Sequence, residues 1–354
     1  MLLMTGSYKG AIFWKMQAGM GDVVFAPMFE VLRSRGVKFE FFHRVEKLGL
    51  SHDNNAITSI DMGVQATLRD PENGYQPLIL AKDLPCWPAQ PCFEQLVQGE
   101  EIRQGGYNLE SFWTPWTGPG TKTLRMGQDF DQVVLAISIG GIPYLLDDLM
   151  RLPEPFRLML ENVETVRTQS MQLWSKDSLE ALGWDAGSVV LDAFTNPINT
   201  WAVMDQLLVR EDWPDDAVKS IHYFCGQMEG GIPPRTEPRP PEVALQEVET
   251  ACDDFASQTL PLLLPNLTKQ NVVARFLRAN IDPSERYVQS TAGSTRYRLE
   301  ANQSGLGNLI LAGDWTKNGF NAGCVEAAVM SGIQAANAID GRPLNEGIDG
   351  PLAS

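Results

Sequence analysis

One carboxylate near the end of the chain is the side chain best placed to bind a ligand. Leu309 to Ala312 is a continuous apolar run with the length and composition of a strand buried on both faces in a parallel sheet. Gly313 permits a sharp turn after this strand, and Asp314 then places a carboxylate where open α/β sheets bind their ligands. A ribose or ribityl hydroxyl is a suitable partner for this carboxylate.

The segment after this turn is almost free of charge and predicts a buried helix from Gly323 to Ile339. The first backbone N–H groups of this helix, from Gly323 to Val325, have no partner within the helix. They also lie at the positive end of the helix dipole, so they can stabilise a phosphate or a reduced ring system. Glu326 in the first turn suits the dipole. An ordinary buried strand, loop and helix is the alternative that composition alone leaves open.

Ten residues of this segment follow a recognisable order: an apolar strand, Ala-Gly-Asp, an aromatic residue, Thr, a loop, and a helix with Glu, small residues and Ser-Gly. They are Ala312, Gly313, Asp314, Trp315, Thr316, Glu326, Ala327, Ala328, Ser331 and Gly332. This order resembles the carboxy-terminal flavin-binding signature of the amine oxidase superfamily, most closely its phytoene and zeta-carotene desaturase-like branch.

The resemblance implies that FAD is the cofactor. In that family the Asp binds the ribityl-pyrophosphate part of FAD, and the backbone at the helix start approaches the pyrimidine edge of the flavin. The implied cofactor-binding residues in this segment are therefore Gly313, Asp314, Trp315, Gly323, Cys324, Val325 and Glu326.

Two further segments resemble the same family. Gly36 to Val45 follows a helix-like segment from Phe25 to Arg35 and resembles the strand whose Val contacts adenine through its backbone. Val45 is therefore a candidate adenine contact, and a plain sheet strand after a surface helix is the alternative. Phe130 to Ile137 resembles the strand that returns into the flavin domain. The three resembling segments span the chain from end to end.

The sequence contains no GxGxxG turn, the motif with which these proteins bind the dinucleotide pyrophosphate. Gly19 to Asp22 is the nearest approach, and we interpret it as a loop with Asp22 as the N-cap of a helix from Val23 to Leu32. Three explanations remain open: a truncated reading frame, a split subunit whose missing half is on a separate chain, or a protein that lost FAD. A sheet without its first strands exposes edges and apolar surface, which favours a partner or poor solubility over a stable free monomer.

The predicted fold class is α/β, with α+β in a second domain. We expect an incomplete Rossmann-like FAD-binding domain and an inserted substrate domain of mixed sheet and helices. Ile232 to Pro241 predicts a Pro-rich surface loop, and Glu242 to Leu264 predicts a helix. The predicted boundaries are residues 1–81, 129–149 and 303–345 for the FAD-binding domain, 82–128 and 150–302 for the substrate domain, and 346–354 for a tail.

Two segments before the last strand resemble the part of related desaturases and oxidases that approaches the flavin ring. Their candidates for the substrate side are Arg286, Tyr287, Arg296 and Tyr297, whereas Arg298 equally suits a surface ion pair. No catalytic base stands out, so the catalytic residues are unknown. This is consistent with flavin oxidation, in which the protein mainly supplies position, exclusion of water and electrostatics.

Composition excludes several classes of protein. The 354 residues are 44% hydrophobic, which suits a globular enzyme. The net charge of -16 argues against binding to nucleic acid or to an anionic membrane. The Met1-Leu-Leu-Met start is too short for a signal peptide, and no apolar run is long enough for a transmembrane segment, so we expect a cytoplasmic protein.

The cysteines number five and show no CxxC spacing, so neither a disulfide framework nor a metal site is predicted. Cys86 and Cys92 flank a Pro-rich turn and leave a redox pair open as a minority interpretation. At a helix N-terminus the thiol pKa of Cys324 should fall, although a small residue needed for packing is the alternative.

The sequence therefore leaves two functions open, of which an FAD-dependent oxidoreductase is the one predicted. In the first, hydride passes from a small organic substrate, apolar or amine-bearing, to the flavin. In the second, the chain is a non-catalytic subunit or scaffold that has lost FAD binding, and the missing GxGxxG motif is its support.

Overall fold

The computed structural model describes residues 14–214, 217–229 and 241–348. The predicted Pro-rich loop, apart from Pro241, and the end of the predicted tail lie outside these ranges. Helices and strands are mixed along the chain, in agreement with the predicted α/β class. The described helices are α1 (Ala26–Ser34), α2 (Gly99–Gly105), α3 (Glu154–Asn162), α4 (Pro241–Gln258), α5 (Leu260–Leu263) and α6 (Val325–Asp340).

The strands are short, and most of them pair antiparallel. They are β1 (His43–Leu50), β2 (Ile57–Val64), β3 (Ile79–Ala81), β4 (Leu84–Cys86), β5 (Gly120–Arg125), β6 (Val133–Leu135), β7 (Thr165–Val166), β8 (Thr168–Ser175), β9 (Val190–Leu191), β10 (Thr200–Val203), β11 (Ser220–Gln227), β12 (Val272–Asn280), β13 (Tyr287–Val288) and β14 (Leu309–Leu311).

The chain divides into two compact units, whose boundaries differ from the predicted domains. The first unit contains the described parts of Met1–Phe41, Leu68–Gly99 and Arg167–Asn280, and the second contains those of Phe42–Thr67, Glu100–Val166 and Ile281–Ser354. The predicted FAD-binding domain groups residues 1–41 with the last strand, whereas the structure places the described part of this segment, residues 14–41, in the first unit.

The first unit is built on a five-stranded antiparallel sheet in the order β12-β8-β11-β10-β9. Burial alternates along β8, because successive side chains of a strand point to opposite faces. Helix α4 packs on the sheet and buries Val248, Cys252 and Phe255. The predicted helix from Glu242 to Leu264 is thus present, but it is interrupted at Thr259, where α4 gives way to α5.

The amino-terminal part of this unit differs from the prediction in two ways. A π-helical turn, Gly21–Phe25, precedes α1, and its N-cap is Met20 rather than Asp22. Asp22 lies inside this turn, and its carboxylate accepts a hydrogen bond from the backbone N–H of Trp87 (3.1 Å), so it does not cap the helix. Residues 36–41 form no strand, because the aromatic side chains there pack with Phe29 and Trp87 instead of pairing in a sheet.

The second unit contains a three-stranded antiparallel sheet, β1-β2-β5, and a two-stranded parallel pair, β6 and β14. The strand predicted for residues 36–45 starts only at His43 and runs to Leu50, in an antiparallel pair with β2. The predicted return strand, Phe130 to Ile137, shortens to β6. A core of apolar side chains lies beneath the parallel pair, and its members include Leu135, Ile139, Phe156, Met159, Leu309, Leu311 and Trp315.

Helix α6 is buried on one side only, which corrects the prediction of a buried helix. Ala327, Met330 and Ala335 face the protein, whereas Val325 and Val329 are 54% and 57% exposed. The physical reason is that α6 packs against β14 along one face, and none of the described residues covers the other. Low charge in this helix therefore does not mean burial all round.

Among the described residues, no helix is long and apolar enough to cross a lipid bilayer.

Candidate functional site

The parallel pair of strands brings the turn after β14 and the loop after β6 to the same edge of the sheet. Leu309 pairs with Val133 and Leu311 with Leu135, and the Ala312 N–H donates to the Leu135 oxygen (3.1 Å). Because parallel strands end at the same edge, the turn after β14 lies beside the loop after β6. This is the carboxyl end of the strands, where the sequence predicts ligand binding.

The turn at Gly313 is fixed by side chains of the predicted signature. The Gly313 N–H donates to the Ser331 hydroxyl (2.8 Å), and the Thr316 hydroxyl donates to the Gly313 oxygen (2.9 Å). Gly313 has a φ of 153°, which favours glycine. Trp315 is buried in the core, and its indole N–H donates to the Ile137 oxygen (2.9 Å). Trp315 thus ties the turn to the loop after β6.

Asp314 lies half-buried at this turn. Burial raises the pKa of its carboxyl, and the opposing influence of the Arg298 charge lowers it. The backbone oxygen of Asp314 accepts hydrogen bonds from the Arg298 guanidinium (2.7 Å) and from the Asn318 amide (3.3 Å). The structure therefore places a carboxylate and a buried guanidinium together at the end of β14.

Helix α6 begins at Val325, two residues after the predicted start. Cys324 is its N-cap, with extended backbone and no capping hydrogen bond from its side chain. The first turn thus retains backbone N–H groups for a ligand, and Glu326 lies in that turn as predicted. Burial raises the pKa of the Cys324 thiol, because it disfavours the charged thiolate, so the predicted fall is wrong.

Tyr287 joins the helix start to the preceding segment. Its hydroxyl donates to the Gly323 oxygen, and a Cβ at Gly323 would lie 2.6 Å from the ring. Burial raises the pKa of Tyr287, and the charges of Asp314 and Cys324 act in the same direction. Tyr287, Asp314 and Cys324 are therefore neighbours, and the predicted substrate-side role of Tyr287 stays a prediction.

The other substrate-side candidates make contacts of their own. Arg286 is buried, and its Nε donates to the Ile281 oxygen (3.0 Å), which closes the loop before β13. Arg296 lies over the Tyr297 ring at 4.7 Å and donates to its hydroxyl (2.9 Å). These contacts explain how the three side chains are held, and their predicted role at the substrate stays a prediction.

Val45 lies on β1, opposite Met62 in the antiparallel sheet, and is partly exposed. The Asn308 side chain connects this sheet to β14, because its amide bonds both the N–H and the oxygen of Ile57 (2.8 Å each). The predicted adenine contact at Val45 stays a prediction.

Sequence reasoning missed Arg298 and Ser290. Arg298 is buried, although a surface ion pair was one expectation for it. The Ser290 hydroxyl donates to the Asn321 oxygen and accepts from Arg298 (3.3 Å). Nothing in the local sequence distinguishes a buried arginine from an exposed one, because the signal lies in which distant backbone oxygens it meets.

The side chains and N–H groups at this edge suit a flavin cofactor. The Asp314 carboxylate can accept from ribityl hydroxyls, and the uncapped start of α6 offers donors and a positive dipole end. The described residues contain no group of three or more His, Cys, Asp or Glu side chains that could hold a metal ion. Cys86 and Cys92 are both free thiols.

Comparison with known proteins supports this interpretation. Residues 249–340 match the model of the flavin containing amine oxidoreductases, and the match includes Asp314 and the start of α6. The predicted resemblance to amine oxidase-like flavin oxidoreductases is thereby confirmed over these residues. The comparison with curated protein sequences found no match.

Two solved structures are similar to this chain. An oxidoreductase from Methanosarcina mazei has a TM-score of 0.47 at 13% identity, over 88% of this chain and 52% of that one. Cyclohexylamine oxidase from Brevibacterium oxydans IH-35A has a TM-score of 0.39 at 14% identity, over 63% of this chain and 44% of that one. The chain spans about half the length of these structures.

Proposed function

We propose that this chain provides the carboxy-terminal part of an FAD-dependent oxidoreductase. The observation that carries the proposal is the Asp314 carboxylate beside the uncapped start of α6, within the residues that match the flavin containing amine oxidoreductases. FAD, when bound, accepts a hydride from the substrate. The incomplete Rossmann-like arrangement around β6 and β14 belongs to the same proposal.

In this proposal the protein's own groups bind and orient the cofactor. Asp314 would accept hydrogen bonds from ribityl hydroxyls, and the positive dipole end at the start of α6 would stabilise negative charge on the ring system. Tyr287 remains a neutral phenol at neutral pH, because burial raises its pKa, and it keeps Gly323 in place through its hydrogen bond. Burial of Trp315 beneath the turn excludes water from that side.

The substrate is a small organic molecule, apolar or amine-bearing, and the segment from Arg286 to Tyr297 in the second unit shapes its side of the site. The family match includes Arg286, Tyr287, Arg296 and Tyr297. A desaturase-like reaction on a polyene and oxidation of an amine are the two versions of this proposal. A separate chain that carries a GxGxxG unit would complete the pyrophosphate site in either version.

The second candidate is a non-catalytic subunit that keeps the fold to hold a partner. The exposed apolar face of α6, with Val325 and Val329, favours it, because such a face suits contact with another polypeptide. Retention of flavin separates the two candidates: the first requires it and the second does not.

The experiment is an absorption spectrum of the purified chain, alone and after incubation with FAD, followed by anaerobic addition of a primary amine or a polyene. We expect protein-bound flavin bands that bleach with one of the two substrates. Peroxide released on readmission of air would identify an amine oxidase, whereas a more conjugated product would identify a desaturase. A chain that retains no flavin, even with a GxGxxG partner added, would contradict the proposal.

A further inference from the structure

Arg298 is a buried cation whose side chain is only 2% exposed. Burying a charge is costly unless it is paired and hydrogen-bonded. Its guanidinium donates to the Asp314 oxygen (2.7 Å), to the Gln289 oxygen (3.3 Å) and to the Ser290 hydroxyl (3.3 Å). One side chain thus connects the turn after β14 to the segment that follows β13.

The Gln289–Ser290 segment, which accepts hydrogen bonds from Arg298, also contacts the loop before α6. The Ser290 hydroxyl, which accepts from Arg298, donates in turn to the Asn321 oxygen. Arg298 therefore contacts two of the three segments that surround Asp314 directly, and it reaches the third through Ser290. A planar guanidinium with several fixed donors can do this, whereas an ammonium cannot hold the same acceptors at once.

The charges that face Asp314 come from few groups. Arg298 is the cation that acts on it, and Tyr287 and Cys324 are the titratable neighbours on the other packed segments. Burial raises the pKa of both Tyr287 and Cys324, so both are uncharged at neutral pH. Arg298 thus supplies the positive charge that acts on the Asp314 carboxylate.

We propose that Arg298 is a positioning residue for the flavin site: it anchors the Gly313–Asp314 turn to the Gln289–Ser290 segment and places a positive charge beside the Asp314 carboxylate. The link to flavin rests on the proposed function, whereas the link to Asp314 does not. An ionised carboxylate accepts hydrogen bonds at both oxygens, so this charge favours the form that binds hydroxyls.

The sign of the pH dependence follows from the Arg298 charge, which is the largest of the influences that lower the pKa of the Asp314 carboxyl. Burial raises the pKa of the Asp314 carboxyl and the Arg298 charge lowers it, so removal of Arg298 must raise that pKa further. The carboxylate then protonates at a higher pH. In the variant, FAD affinity should accordingly decline at a higher pH as the solution is acidified.

The first experiment uses the flavin-free chain and measures the Asp314 carboxyl titration by carbon-detected NMR. Arg298→Met should shift the midpoint upward, and Arg298→Lys, which keeps the charge, should shift it less. Arg342→Met is the matched control, because Arg342 is exposed and bonds Asp340 at the far end of α6. A midpoint in Arg298→Met equal to that of the unmodified chain would overturn the proposal.

The second experiment measures FAD affinity against pH in the same variants. We expect Arg298→Met to weaken FAD binding about tenfold or more, because the variant loses a buried charge that is hydrogen-bonded. Arg298→Lys should recover part of this affinity. A purely structural role would lower melting temperature without moving the pH midpoint, and that result would count against the proposal. If the unmodified chain binds no FAD, the proposed function fails, and the carboxyl titration still decides the role of Arg298.

Should Arg298→Met fail to fold, Arg298→Lys and Ser290→Ala carry the test. Ser290→Ala removes one acceptor of the guanidinium and keeps its charge. It should leave the Asp314 midpoint near that of the unmodified chain and weaken FAD binding less than Arg298→Lys does. The opposite order of the two variants would overturn the proposed anchoring by Arg298.

Discussion

Different forces stabilise two regions of the molecule, the five-stranded sheet of the first unit and the turn after β14 in the second. In the sheet, apolar side chains such as Phe224 and Trp201 stack at 6.1 Å and are almost fully buried. At the turn, the backbone is fixed by hydrogen bonds to the side chains of Ser331, Thr316 and Trp315. The comparison teaches that hydrophobic burial stabilises the scaffold, whereas a few polar contacts determine the geometry of the site.

The largest effect should come from the core of the sheet. Phe224→Ala should lower the free energy of unfolding by about 3–5 kcal/mol, because it removes a fully buried ring and leaves a cavity. Phe276→Ala on β12 is the matched control, since that ring is 56% exposed, and it should cost about 0.5 kcal/mol or less. Urea denaturation followed by circular dichroism gives both values. Equal losses would remove the basis of the comparison.

Acid should weaken the same sheet through His222. Burial lowers the pKa of His222 from 6.5 to about 4, so the folded state prefers the neutral ring. Protonation of the ring shifts the folding equilibrium toward the unfolded chain. The contribution of neutral His222 to the free energy of unfolding is therefore fully present above pH 6.5 and is lost as the pH falls toward 4. The loss is about 3 kcal/mol, at about 1.4 kcal/mol per unit of pKa shift.

The check is the unfolding free energy between pH 4 and 7 in the unmodified chain and in His222→Leu. Carboxyl groups titrate in both proteins, so the difference between the two curves isolates the histidine. The unmodified chain should lose about 3 kcal/mol relative to His222→Leu as the solution is acidified from pH 7 to 4. Parallel curves would show that His222 does not titrate between its unfolded and folded pKa values.

Two tryptophans sharpen the comparison on a smaller scale. Trp315 donates to the Ile137 oxygen, whereas the indole N–H of Trp201 has no partner among the described residues. Both are replaced by phenylalanine with a similar loss of volume. Trp315→Phe should cost about 1 kcal/mol more than Trp201→Phe, because it removes the hydrogen bond to the Ile137 oxygen, whereas Trp201→Phe removes an N–H that has no partner among the described residues. Thermal unfolding gives the difference, and an equal cost would mean that the indole bond does not stabilise the turn.

The smallest effect should occur on the outer face of α6. Val329→Ser changes a side chain that is 57% exposed, so the free energy of unfolding should move by no more than about 0.5 kcal/mol. Self-association at high concentration, measured by light scattering, should decrease, because an exposed apolar patch becomes smaller. A large loss of stability would show that this face is covered.

Periodicity in the sequence predicted the elements that burial determines. Helix α4 and strand β14 appear where apolar spacing placed them, and the Gly313–Asp314 turn follows β14 as expected. The start of β1 was misplaced, because Phe39 and Phe41 have the composition of a strand and pack instead against Phe29.

The site could be predicted from the sequence only in part. Asp314 and the α6 start carry a local signature, so the sequence predicts them as site residues, and their role stays a proposal. Arg298 was missed, since its role depends on backbone oxygens at residues 289 and 314, and no local pattern encodes such contacts. The predicted fall in the pKa of Cys324 was wrong for a related reason: the helix dipole is readable from sequence, whereas desolvation depends on packing.

The most direct test of the account is the dissociation constant of FAD for Asp314→Asn. Asp340→Asn is the matched control, because Asp340 is an exposed carboxylate at the other end of the same helix, paired with Arg342 at 2.7 Å. We expect Asp314→Asn to weaken FAD binding about tenfold or more, from loss of charged hydrogen bonds, and Asp340→Asn to leave it unchanged. Equal affinities in Asp314→Asn and the unmodified chain would contradict the assignment of this site.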